Sequence, residues 1–322
     1  MLTIGVAAPG ICQNPRPGTN PIIRTVFTAD PAPLVHDGRV YLYVGHDEAR
    51  GDEMFTMRDW LVFSSTDMKH WTPHGPIMKA TDFAWAAKDA WAAEAIEKDG
   101  KFYFYAAVEH DKTHPGKAIG VAVADRPTGP FIDARGSALI SNDMTPQGKH
   151  SWDDIDPTVF TDGDGTTWLM WGNGTCYLAK LKPNMIELDG PVREIEIPHF
   201  EEGPWLHKRG DLYYLTYASL DRSQNPNETI SYATAPAITG PWTYRGQLTG
   251  SGENSFTIHP AIIEFKDRWY FFYHHAGLTI GDQAGTLGRR AVAVEHLQYN
   301  QDGTIRPIQQ TAEGVSGPPR SQ

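Results

Sequence analysis

Three acidic positions in the chain share a setting. Asp30 precedes Pro31, Asp156 precedes Pro157, and Glu202 precedes Gly203-Pro204. Taken singly, an Asp before Pro is a common turn residue. Brought together, three carboxylic acids have a chemistry. Two carboxyls about 6.5–9.5 Å apart can activate a water and protonate a leaving oxygen on either side of a glycosidic bond, which is what an inverting glycosidase requires. A third can keep the proton donor protonated and oriented near neutral pH. Like charges held close raise one another's pKa and cost stability, so such a cluster belongs at a functional site.

What must position these acids is a repeat. Each copy is a short strand, a Gly or Asp turn about eight residues on, and a second strand of alternating aromatics. The copies begin at Asp30, Ala92, Asp156, Glu202 and His259, 46 to 64 residues apart. The second strands read Val40-Tyr41-Leu42-Tyr43-Val44, Lys101-Phe102-Tyr103-Phe104-Tyr105, Trp168-Leu169-Met170-Trp171, Leu212-Tyr213-Tyr214-Leu215-Thr216-Tyr217 and Trp269-Tyr270-Phe271-Phe272-Tyr273. This is a hairpin signature. A weaker strand-and-turn follows several copies, as in Val62 to Trp71, Val121 to Phe131 and Ile230 to Trp242. Four strands per unit predict an all-β chain folded as one five-bladed β-propeller over residues 21–311, with a short tail from Ala312 to Gln322. Ala84 to Ile96 has a helical composition, but the repeat overrides it and leaves room for one helical turn ahead of the second blade. In a propeller the first strand of every blade lines the central channel. The five openings therefore ring one mouth of that channel, and three of the five are acids.

Composition agrees and excludes other classes. The chain has 322 residues, 31 Gly and 24 Pro, a turn-former about every six residues, and a net charge of −11. That charge argues against a nucleic-acid partner. No run of 18 apolar residues exists to span a membrane. The N-terminus lacks a basic region followed by a long apolar core, so no secretory leader is expected and a cytoplasmic location is. Cys12 and Cys176 are too few for a disulfide framework and read as free thiols.

The motifs Ala29-Asp30-Pro31-Ala32-Pro33, Asp154-Ile155-Asp156-Pro157-Thr158 and Glu202-Gly203-Pro204, followed by the late run Arg290 to Ile305, resemble glycoside hydrolase family 43 over nearly the whole propeller. The resemblance implies that Asp30 is the general base, Glu202 the general acid and Asp156 the residue that tunes and orients Glu202. Glu201 is the competitor of Glu202, although the family pattern puts the acid immediately before Gly-Pro. The resemblance also implies an arginine that contacts sugar hydroxyls and the acid cluster, at Arg290, with Arg289 as its competitor because strand alternation turns only one of them inward. It further implies a calcium ion in the channel, held through His259 and mostly waters, a set that calcium's preference for oxygen would not suggest; the alternative is a channel histidine hydrogen-bonded to water.

Four further residues are candidates for sugar contact, each with a plainer reading. Trp85 and Trp91 flank the second-blade start and would form a wall under the sugar or simply pack the blade. His46, after the second strand of the first blade, would sit at the rim. Asn173 would touch substrate or serve as a turn residue at positive φ. A sialidase is disfavoured because Ser65 to Trp71 is an imperfect Asp-box, and a retaining propeller because Ala29, not Asn, precedes Asp30. The expected activity is exo-acting release of xylose or arabinose from xylo-oligosaccharides or arabinose-substituted oligosaccharides, a β-xylosidase with α-L-arabinofuranosidase activity. Endo-arabinanase activity is the alternative, and a non-catalytic carbohydrate-binding propeller the second. The segments expected to close the pocket are Asp47 to Asp59, His70 to Lys88, Glu109 to Lys117 and Asn142 to Trp152.

Overall fold

The structure, a computed structural model, describes residues 16–319. Its described strands form six antiparallel sheets, five of them arranged as the blades of a propeller and the sixth a two-stranded hairpin. Blade 1 is β1 (Thr28–His36), β2 (Arg39–Asp47), β3 (Met57–Ser65) and β4 (Thr72–Lys79). Blade 2 has β5 (Ala86–Lys88) and β6 (Ala93–Lys98), both paired with β7 (Lys101–His110), then β8 (Lys117–Ala124) and β9 (Ile132–Asp133). Blade 3 is β10 (Thr158–Thr161), β11 (Thr167–Trp171), β12 (Cys176–Leu181) and β13 (Arg193–Ile195). Blade 4 is β14 (Phe200–Arg209), β15 (Leu212–Ser219), β16 (Thr229–Ala235) and β17 (Thr243–Thr249). Blade 5 holds β18 (Ala261–Phe265), β19 (Arg268–His275) and, beyond a hairpin of β20 (Thr279–Ile280) and β21 (Gln283–Ala284), β22 (Ala291–Leu297).

The aromatic runs are the second strands β2, β7, β11, β15 and β19. Their sheets are covered on both faces by neighbouring blades, so Phe104, Tyr105, Trp171, Tyr214, Tyr217, Phe271 and Phe272 are fully buried. The tight turns before them need left-handed backbone. Asp37-Gly38 and Asp99-Gly100 supply it conventionally, while Lys266-Asp267 takes the same positive φ values without a glycine. The Ala84 to Ile96 segment contains β5 and part of β6 and no helix. A single 3-10 turn lies just ahead of it, at Ala80–Asp82. Pairing with β7 outweighs the local preference of an alanine-rich stretch.

Blade 5 has three strands of its own, and the ring closes through the segment that leads into β1. Ile22 N–H donates to Val292 O and Thr28 N–H to Arg290 O, both at 2.9 Å. The Asn20 amide also brackets Val294, accepting its N–H at 2.9 Å and donating to its carbonyl at 3.2 Å. The edge of β22 is thereby covered and the first blade is tied to the last. The described part of the tail is packed here too: Val315 N–H donates to Gly18 O, Asn20 N–H to Ala312 O, and Val315 and Ser316 are buried. Cys176 is a buried free thiol, and Cys12 lies outside the described residues.

Candidate active site

The five blade openings converge. Asp30, Ala92, Asp156, Glu202 and His259 line one cavity of about 660 Å³ at the mouth of the channel. Local backbone explains how their side chains reach it. Pairing of β1 with β2 slips between Ala29 and Ala32, and pairing of β14 with β15 slips on both sides of Glu202, so each acid sits on a bulge that re-aims it. Asp30 and Asp156 both have left-handed backbone, with φ of 51° and 58°, a conformation that costs a non-glycine residue and collects at functional sites. Gly203 takes φ of 59°, and a Cβ there would meet His259 Nδ1 at 3.2 Å, so both strain and space call for glycine. Its N–H donates to Asp156 Oδ2 at 2.9 Å, which ties Asp156 to the residue following Glu202.

The acids are buried but their surroundings separate them. Burial works to raise the pKa of Asp30, yet the Arg290 guanidinium beside it, with Nη1 donating at 3.2 Å, and His274, with Nδ1 3.2 Å from Oδ1, hold the carboxyl well below the usual carboxylate range. Glu202 goes the other way. Burial, aided by the charges of Asp30 and Glu201, pushes it up to about 7 despite a 2.7 Å hydrogen bond from Asn173 Nδ2 to Oε2. Asp156 is raised well above its ordinary value by burial and by the charges of Glu202 and Asp30. One ionised carboxylate and one protonated carboxyl in a single cavity are what a general base and a general acid need near neutral pH.

Arg290 faces this site and Arg289 does not. The Arg290 fork grips Asp47, Nε to Oδ2 at 2.9 Å and Nη2 to Oδ1 at 3.0 Å, while Nη1 reaches Asp30. Arg289 turns the opposite way, its Nη1 donating to Ala49 O at 3.1 Å and Gly51 O at 3.0 Å, and so holds the segment between β2 and β3. Of the other candidates, Trp91 and Asn173 line the cavity. Asn173 is not at positive φ; its flanking Gly172 and Gly174 are. Trp85 and His46 are not among the lining residues. Trp85 packs against Phe83 and His110, and His46 Nδ1 lies 2.8 Å from Asp59 Oδ1. Pairing of β2 with β3 slips between Gly45 and Asp47, and it is Asp47, bonded to Arg290, that serves the site while His46 meets Asp59. Between Glu201 and Glu202, both of which line the cavity, Glu202 takes the Asn173 hydrogen bond.

Two of the four anticipated inserts form walls. Met54, Phe55 and Met57 come from the first, and His150 and Trp152, stacked at 4.3 Å, from the last; the segments 70–88 and 109–117 supply none of the lining. Phe256, Thr257, Arg222 and Glu228 also line the cavity. No local motif marked them, because they reach the site from loops between strands of blades 4 and 5.

Residues 18–305 match the profile of the Glycosyl hydrolases family 43. The chain belongs to glycosyl hydrolase family 43. Among family 43 relatives, the chain is 31% identical to the Xylosidase/arabinosidase 43A of Humicola insolens, over 88% of this chain and 98% of that one. It is 30% identical to a xylosidase/arabinosidase of Bacteroides ovatus, over 88% and 95%. It spans 55% of the length of the arabinoxylan arabinofuranohydrolase of Paenibacillus polymyxa, at 28% identity. In three dimensions it is similar to a GH43 β-xylosidase/α-arabinofuranosidase, CoXyl43, from a compost microbial metagenome, solved with xylotriose in a calcium-free form. The TM-score is 0.78 and the identity 30%, over 90% of this chain and 97% of that one.

That relative bears on the calcium expected at His259. Burial pushes the His259 imidazole down to about 4, leaving it neutral, and its Nδ1 stands 3.9 Å from Asp30 Oδ1 and 3.8 Å from Asp156 Oδ2. Among the described residues no group of three or more His, Cys, Asp or Glu is arranged to hold a metal ion. The described residues thus offer one imidazole and no oxygen cage of the kind calcium prefers. The donor set does not fit a protein-built calcium site, and the chemistry below uses only the chain's own residues.

Proposed function

We propose that this family 43 chain is an inverting, exo-acting glycoside hydrolase that releases xylose or arabinose from hemicellulose fragments, a β-xylosidase with α-L-arabinofuranosidase activity. The observation that carries the reading is the opposed protonation of Asp30 and Glu202 across one cavity. Asp30 accepts a proton from water as its oxygen bonds to the anomeric carbon. The carbon–oxygen bond to the leaving group breaks, and the Glu202 proton goes to the departing oxygen. Attack from the opposite face inverts the anomeric centre. Arg290 keeps Asp30 ionised and Asp47 keeps Arg290 in place, while Asp156 fixes the Gly203 peptide behind the acid. Trp152, half exposed and stacked on His150, offers an aromatic face to a sugar ring at the mouth. Walls from the segments 47–59 and 142–152 support a pocket for a chain end.

The names of the relatives support a xyloside or arabinofuranoside substrate. The test is a parallel assay on 4-nitrophenyl β-xyloside, 4-nitrophenyl α-L-arabinofuranoside and linear arabinan, with and without chelator. Turnover of the two aryl glycosides is expected. Cleavage of arabinan into oligomers with neither aryl glycoside turned over would replace the exo reading by the endo one. Proton NMR of the first sugar formed from the β-xyloside should show the α-anomer, and an initial β-anomer would refute inversion. The calcium-free form of the relative supports a calcium ion in the channel only as one held through His259 and mostly waters, since the described residues supply no oxygen cage for it. Unchanged activity and melting temperature in chelator would remove it.

A further inference from the structure

The reaction uses three acids, and the cavity is lined by two more, Glu201 and Glu228. Glu228 lines the cavity, precedes β16 and is 1% exposed. Its main chain donates N–H to Phe256 O at 3.0 Å, and its Oε2 accepts Ile258 N–H at 3.0 Å. The first bond holds the main chain, and the second holds the carboxyl, against the segment that carries Thr257 and His259, both of which also line the cavity. Pinning alone does not explain a glutamate, since an amide would accept the same N–H without the cost of burying an acid.

Glu228 has further hydrogen-bonding capacity. Burial and the charge of Glu202, with those of Glu201 and Asp156, raise it well above the ordinary range, so it stands as a neutral carboxylic acid with an O–H to donate. Among the described residues the only hydrogen-bond partner of its carboxyl is Ile258 N–H. A buried acid left with an unused donor and acceptor beside the proton-donating glutamate is completed by what enters the cavity.

From this placement we infer that Glu228 is a specificity-determining residue, which hydrogen-bonds one hydroxyl of the sugar bound in the cavity. The inference rests on the proposed glycosidase reading of this cavity and adds to it a fourth carboxyl that recognises a neutral polyol without taking part in bond breaking. A cavity occupant lacking that hydroxyl leaves Glu228 unpaired and is disfavoured in the transition state.

The test pairs Glu228→Ala and Glu228→Gln with aryl glycosides deoxygenated one position at a time. Wild-type turnover of the parent xyloside or arabinofuranoside comes first, since turnover of neither overturns the proposed function and this inference with it. On the substrate that is turned over, Glu228→Ala should lower kcat/KM about ten- to a hundredfold, the range for a lost buried hydrogen bond. Glu228→Gln, which keeps an acceptor for Ile258 N–H and a donor for the hydroxyl, should recover most of that loss. One deoxygenated substrate should lose a similar factor with the wild type and little further with Glu228→Ala. A merely structural role would instead give losses that multiply for every deoxygenated substrate, and that result, or a Glu228→Ala enzyme with wild-type kcat/KM, overturns the inference.

Discussion

Asn173→Ala should move the alkaline limb of the pH–rate profile upward. In the native site Asn173 Nδ2 donates to Glu202 Oε2 at 2.7 Å, and that bond favours the ionised form of the acid. A hydrogen bond to a charged group contributes about 1.5–3 kcal/mol, and a pKa unit corresponds to about 1.4 kcal/mol, so complete loss raises Glu202 by about one to two units. Water in the vacated space restores part of the stabilisation, which leaves a shift of about one unit. In the proposed reaction Glu202 is the acid only while protonated, and it stands at about 7, so the wild-type limb should lie near there and the variant's near pH 8. Asp156 shares the buried space, and the limb therefore belongs to the pair. The assay is kcat/KM between pH 4 and 9 on a 4-nitrophenyl glycoside, repeated with a 2,4-dinitrophenyl leaving group that departs without a proton and should show a weaker limb. The acid limb, set by Asp30, should stay below the ordinary carboxylate range in both enzymes, because Arg290 and His274 are untouched. An alkaline limb that stays put or moves down refutes the assignment of Glu202.

Other perturbations read out neighbouring parts of the site. Asp30→Asn and Glu202→Gln should each lower kcat by several orders of magnitude on a 4-nitrophenyl glycoside with the folded circular-dichroism spectrum retained; near wild-type turnover removes that residue from the mechanism. Arg289→Ala frees the segment at Ala49 and Gly51 that presents Met54, Phe55 and Met57, so KM for xylobiose should rise about tenfold with a smaller change in kcat, as expected when positioning is loosened. An unchanged KM shows that the wall holds without the clamp. Glu94, buried on β6 with Oε2 unpartnered, is pushed up to about 8 by burial. Its unfolded form ionises from about pH 4.5 while the folded form stays neutral, so stability is lost as pH rises from there to about 8, by about 3 kcal/mol at pH 7. Glu94→Gln should therefore raise the melting temperature at pH 8 and leave it nearly unchanged at pH 4; the reverse order contradicts the linkage.

Local pattern was enough for the architecture and for part of the site. Alternating aromatics after a turn declare a hairpin wherever they occur, because the side-chain period of a strand is two and the turn chemistry is local. Five such units, with acids opening three of them, point to a ring whose mouth holds Asp30, Asp156 and Glu202. What this sequence determined alone was therefore the repeat, and through it the residues that must meet. The tertiary structure decided everything that depends on which face of a strand turns inward and which loop arrives from another blade. It set Arg290 on Asp30 and Arg289 on a wall segment, brought Asp47 to the site and left His46 outside, packed Trp85 away while Trp91 stayed, and delivered Glu228 from the loop ahead of β16. It also divided the protonation of acids that look alike in sequence. A carboxyl's pKa is the balance of burial against the few charges and donors within hydrogen-bonding range. For Asp30 and Glu202 those partners are Arg290 and Asn173, 260 and 29 residues away along the chain, and only folding places them there.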